Sequence, residues 1–122
     1  MTQAGRDASH DGGIYGSAIA AEGWQRVTTR AFLRPITERM LDLAGISSGH
    51  RVLDVAAGTG EQTLMAARRV GPSGFVLATD IAERMLAYLQ EAANNEGLTN
   101  VQTRVLDARG LALEPESFDA AI

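Results

Sequence analysis

Apolar and polar positions change period several times along this chain. Val52, Leu53 and Val55 form a short aliphatic run, FVLAT at 75–79 a second that ends at Asp80, and residues 101–106 a third that ends at Asp107. A fourth opens at Phe118. Runs of this length, rich in β-branched residues and bounded by Gly, Asp or Pro, predict buried strands. Between them the period is helical. Leu64, Ala67 and Val70 mark a helix that begins near Glu61 and stops at Gly71-Pro72. Met85, Leu86, Leu89, Ala92 and Ala93 mark another over 82–95, ended by Gly97. Ahead of the first strand, Pro35 is expected as the first residue of a helix whose stripe is Ile36, Met40, Leu43 and Ala44, closed by Gly45. Strands separated by helices imply an α/β fold: a Rossmann-like parallel sheet with right-handed crossovers and helices on both faces.

The rest of the chain is less patterned. Residues 1–13 are polar and aperiodic and read as a mobile tail. Residues 14–48 read as an N-terminal helical region, and residues 49–122 as the sheet domain. At 122 residues the chain holds one domain at most. Fifteen acidic against 11 basic residues leave no basic excess to neutralise phosphates, which argues against nucleic acid as a partner. No apolar run reaches the ~18–20 residues of a membrane span. Cysteine is absent, so disulfides and thiolate metal sites are excluded, and a reducing, cytoplasmic setting is expected. Two histidines, His10 and His50, suggest no metal centre.

The candidate chemistry gathers around RVLDVAAGTGEQT, residues 51–63. A strand, a turn of small residues and a helix start make a site of nucleotide size. Gly58 and Gly60 allow a sharp turn and a close approach of ligand to main chain, and the first helical N–H groups have no partners within the helix. Asp54, Asp80 and Asp107 fall at or near the C-terminal ends of three parallel strands, where α/β sheets bind ligands. Asp80 follows Gly60 by 20 residues, the spacing of a ribose-binding carboxylate, although it also suits a helix cap. A dinucleotide-binding reading as G-x-G-x-x-G is incomplete, because Thr63 stands in the third glycine position. Glu61 at the helix start is also unfriendly to a pyrophosphate.

VLDVAAGTG, LATDIAERML and RVLDARGLALEPESFDAAI together resemble the first half of a class I S-adenosylmethionine-dependent methyltransferase, in particular the group that includes the ubiquinone and menaquinone C-methyltransferases. The resemblance implies S-adenosylmethionine as cofactor and methyl transfer to a small-molecule acceptor. It implies that Asp54 supports the loop and the methionine end. Ala56, Gly58 and Gly60 would form the turn beside methionine and ribose, and Asp80 would take both ribose hydroxyls. Ile81 and Met85 would lie near the adenine, Asp107 would accept its amino group, and the Ala108 N–H would face a ring nitrogen. Ala56 departs from the family's usual glycine. Tyr15 and Trp24 are candidates to cap the cofactor. Glu61 suits a cationic sulfonium better than a pyrophosphate, which favours this cofactor over NAD. The family fold has seven strands, so the chain is expected to be its first four, cut within FDAAI, with an exposed sheet edge that drives homo-oligomer formation and with weak or no turnover. The alternatives are a non-catalytic module that binds S-adenosylmethionine or only self-associates, and an NAD-linked oxidoreductase domain. No catalytic base can be assigned.

Overall fold

Val52, Val76 and Val101 stand side by side at one level of a four-stranded sheet. The computed structural model describes residues 30–122; the expectations for residues 1–29, including Tyr15 and Trp24, lie outside the described residues. The elements run α1 (Arg30–Leu43), β1 (Arg51–Val55), α2 (Glu61–Val70), β2 (Phe75–Asp80), α3 (Glu83–Asn95), β3 (Val101–Val105) and β4 (Ala120–Ala121). The strands lie in the order β3-β2-β1-β4, and every pairing is parallel. This is the α/β architecture that the alternating periods imply.

The two crossovers, β1-α2-β2 and β2-α3-β3, step in the same direction across the sheet. Right-handed connection therefore puts α2 and α3 on the same face. Val52, Val76, Ala78 and Val101 point to that face and form one core with Leu64, Ala67 and Val70 of α2, Leu86, Leu89 and Ala93 of α3, and Leu41 of α1. A second helical layer has no counterpart among the described residues. The opposite face, around Leu77, is instead lined by Leu113, Ser117 and Phe118 of the loop that follows β3. Arg51 ties that loop down. Its guanidinium sits 4.8 Å from the Phe75 ring centroid and 5.9 Å from that of Phe118, and its Nε donates to the Ser117 carbonyl.

Two expectations for α1 are corrected. The helix begins at Arg30, so Pro35 lies inside it. As the sixth residue, Pro35 costs the helix one main-chain hydrogen bond, to the carbonyl four residues earlier. The buried stripe is also rotated. Thr37 and Leu41 are buried and Met40 and Ala44 half-buried, whereas Ile36 and Leu43 are 59% and 72% exposed. Thr37, Met40, Leu41 and Ala44 keep helical spacing, and the threonine hides in a stripe that apolar residues alone do not reveal. Gly45 does end the helix, at φ 66, with its N–H on the Asp42 carbonyl. The fourth strand is shorter than expected. The strand proper is Ala120–Ala121, in register with Val52 and Leu53. Main-chain bonds to β1 nevertheless run from the Asp119 N–H, on the Arg51 carbonyl at 2.7 Å, to Ile122, whose carbonyl accepts the Val55 N–H at 2.9 Å. The Asp119 carboxylate accepts the Arg51 N–H at 2.7 Å.

Candidate functional site: the carboxyl ends of the strands

Asp54 is fully buried, although it is a carboxylate near the end of a strand. A buried acid needs donors, and the first turn of α2 brings them. Gln62 Nε2 donates to Oδ1 at 3.0 Å and Thr63 Oγ1 to Oδ2 at 2.5 Å. The loop between β1 and α2 then closes onto β2. The Ala57 N–H donates to the Thr79 carbonyl at 2.9 Å, and Thr79 Oγ1 returns a bond to the Asp54 carbonyl at 3.1 Å.

Burial pushes the Asp54 carboxyl up to about 6; the Thr63 and Gln62 hydrogen bonds oppose that rise, and the charge of Asp80 adds to it. Between its ordinary 3.8 and about 6, the folded state holds a proton that the unfolded chain has released. The stability gained from neutral Asp54 is thus complete below the lower value and lost as pH rises through the upper one, on the order of 2–3 kcal/mol by pH 7. Asp54→Asn keeps the size and the acceptor, and a hydroxyl at Thr63 can accept as well as donate. The variant is expected to remove this slope between pH 4 and 6 in urea titrations. Parallel profiles for the two proteins would refute the assignment.

Asp80 occupies the end of β2 and serves two elements at once. Its Oδ2 accepts the Gly58 N–H at 2.9 Å and its Oδ1 accepts the Ala82 N–H at 2.8 Å. The carboxylate thereby fixes both the glycine loop and the entry to α3, and it stays half-exposed. Asp80 is not the helix cap: Ala82 holds that position, no side chain bonds the first-turn N–H groups, and Asp80 fixes the Ala82 N–H instead. Leu106 N–H reaches the Asp80 carbonyl at 3.0 Å, which brings Asp107 alongside.

The two glycines of the turn have different jobs. Gly58, at φ 60, faces open space where a side chain would stand. Gly60, at φ 88, is buried, and a Cβ there would lie 2.3 Å from Leu89 Cγ. Gly58 is open to a ligand, whereas Gly60 is a packing glycine against α3. Ala56 adopts φ 58 with no glycine to ease it, a strain of about 1 kcal/mol.

The adenine-side candidates separate in the same way. Ile81 is 49% exposed at the rim. Met85 is buried against Ala82 and Tyr88. Ala108 is exposed. Asp107 is held by Arg109, whose guanidinium and backbone N–H pull its carboxyl down to about 2. The structure thus brings Asp54, Ala56, Gly58, Asp80, Ile81, Asp107 and Ala108 to the carboxyl ends of the strands. Sequence reasoning missed Gln62, Thr63, Thr79 and Arg109. The one available signal was polar residues in the first turn of α2, directly after a strand with an inward-facing acid.

Comparison with known proteins agrees with this arrangement. The family model described as a methyltransferase domain matches residues 52–122. Nocamycin O-methyltransferase of Saccharothrix syringae is 41% identical over 88 residues, covering 72% of this chain and 31% of the relative. The ubiquinone/menaquinone biosynthesis C-methyltransferase of Pasteurella multocida is 40% identical over 83 residues, covering 67% of this chain and 31% of its own length. Among solved structures, a SAM dependent methyltransferase from Aquifex aeolicus superposes with a TM-score of 0.65 at 29% identity, covering 76% of this chain and 50% of that one. The chain spans about a third of the length of the curated relatives it matches. On its glycine turn, its strand-end acids and the match over residues 52–122, the chain belongs to the methyltransferase domain family.

Proposed function

We propose that the chain is the S-adenosylmethionine-binding part of a methyltransferase acting on a small-molecule acceptor. The observation that carries this reading is Asp80, a half-exposed carboxylate that sets the glycine loop through Gly58 and the start of α3 through Ala82. Each carboxylate oxygen keeps a lone pair for a hydroxyl, and the neighbouring Gly58 carries no side chain to block an approaching ribose. Asp54, Glu61 and Asp80 are acids around one loop. That sign suits a sulfonium and opposes a pyrophosphate. Thr63, where a dinucleotide site wants glycine, is committed to Asp54.

In this reading Asp80 would hold the ribose, Ala56 and Gly58 would flank the methionine end, and Asp54 would support that end from beneath the loop. Gly60 would shape the turn from its packed side. Ile81 would give an apolar contact to the adenine, backed by Met85, with Asp107 and Ala108 at its polar edge. The cofactor, when bound, supplies an electrophilic methyl group for direct displacement by the acceptor. The residues named here position it and exclude water. No helix among the described residues is long and apolar enough to cross a membrane. A cytoplasmic setting, no nucleic-acid partner and self-association belong to the same proposal. They are supported by the absence of cysteine, the net charge of −4, and exposed Phe32, Ile36 and Leu43 on α1.

Calorimetric titration with S-adenosylhomocysteine tests the proposal. Saturable binding that NADH does not compete away is expected. Absence of binding at millimolar ligand would end it.

A further inference from the structure

The carboxylate at the end of β3 is already engaged on both oxygens. Asp107 Oδ1 accepts the Arg109 N–H at 2.9 Å and its Nε at 3.0 Å. Oδ2 accepts the same Nε at 3.0 Å and Nη2 at 2.6 Å. An ionised carboxylate offers about four lone-pair positions; three N–H hydrogens, with the Nε–H shared between both oxygens, take up most of that capacity. The arginine that supplies them is 88% exposed, and among the described residues it interacts only with Asp107. A planar guanidinium fork is well suited to hold a carboxylate this way. The pair is short in sequence and folds back on itself, so it forms without help from any other element.

We propose that Arg109 is an affinity- and specificity-determining residue of the adenine subsite, competing with the purine 6-position for Asp107. The inference rests on the proposed function, in which Asp107 receives the adenine amino group. An amino donor at Asp107 competes with the guanidinium for the two carboxylate oxygens. A purine with a 6-oxo group meets the opposite situation, because Arg109 can donate to it while keeping part of its grip on Asp107. Arg109 therefore weakens binding of the adenine cofactor and narrows the preference of the site for a 6-amino over a 6-oxo base. Lysine, a point charge without a fork, retains the attraction and loses the grip on both oxygens.

The test compares S-adenosyl-L-homocysteine with S-inosyl-L-homocysteine as titrants of the full chain and of its Arg109→Ala and Arg109→Lys variants. Both ligands carry no net charge, so loss of one arginine leaves long-range attraction nearly unchanged. Arg109→Ala is expected to bind the adenosyl ligand about two- to five-fold more tightly in low salt, the range of an exposed ion pair. The gain is expected to shrink toward unity in 0.5 M salt, where such a pair is screened. The adenosyl-over-inosyl preference is expected to rise in Arg109→Ala, with Arg109→Lys between the two. Wild-type binding with an equal or weaker Arg109→Ala variant, or an unchanged base preference, overturns the inference alone. Failure of every protein to bind either ligand overturns the proposed function and this inference with it.

Discussion

On the proposed ribose site, Asp80→Ala is expected to lower the affinity for S-adenosylhomocysteine about 100-fold, the loss that follows when two hydroxyls give up hydrogen bonds to a charged acceptor. The same substitution frees the Gly58 and Ala82 N–H groups that Asp80 receives at 2.9 and 2.8 Å, so the loop loses its anchor at the same time. Gly58 is half-buried and Ala82 buried, so each freed N–H carries a desolvation cost of about 1–3 kcal/mol. Asp80→Asn separates the two effects. It retains one acceptor and the size of the side chain but not the charge, and an affinity loss of about 10-fold is expected. Calorimetry at a temperature where circular dichroism shows each variant folded checks the series. An Asp80→Ala variant that binds as tightly as wild type removes Asp80 from the site.

Gly60→Ala is expected to destabilise the fold by about 2–5 kcal/mol. One part is backbone. At φ 88 an alanine pays the left-handed penalty of about 1–2 kcal/mol. The other part is steric, because the new methyl would stand 2.3 Å from Leu89 Cγ and 2.4 Å from Cδ1. Leu89 is itself fully buried in the core and has nowhere to retreat, and overpacking of this kind costs about 1–3 kcal/mol. Against the 5–15 kcal/mol of a typical domain the sum is large. Leu89→Ala gives an internal control. Alone it opens a cavity at a cost of about 2–5 kcal/mol, but in the Gly60→Ala background it also relieves the clash. The double variant should therefore be more stable than the two single losses predict. Denaturant titrations that show simple additivity would mean that Gly60 and Leu89 do not meet.

These two residues also show where the sequence was informative. Asp80 was legible because its signal is local and periodic: an aliphatic run ends in an acid, at a fixed distance from a glycine turn. The helix ends were legible for the same reason, since Gly45, Gly71 and Gly97 adopt positive φ just past the last periodic residue. Contacts between distant elements were not legible. Nothing near Gly60 in sequence announces Leu89, which arrives from α3. Thr63 reads as a failed glycine in a dinucleotide pattern until the fold turns Asp54 inward and makes its hydroxyl a necessary donor. The α1 stripe was misjudged because Thr37 counts as polar in a pattern but is buried in the packed helix. Ala56 was the reverse case. It stands where the resemblance implies glycine, and its φ of 58 is the left-handed conformation that glycine adopts without strain.

The claim underlying all of this is that an adenosyl ligand seats at the carboxyl ends of β1, β2 and β3. Amide chemical-shift mapping of the labelled chain, titrated with S-adenosylhomocysteine, examines that claim most directly. The largest changes are expected at residues 56–60, 81–82 and 107–108. Changes confined to residues 71–74 and 97–100, at the opposite end of the strands, or no changes at saturating ligand, would contradict it.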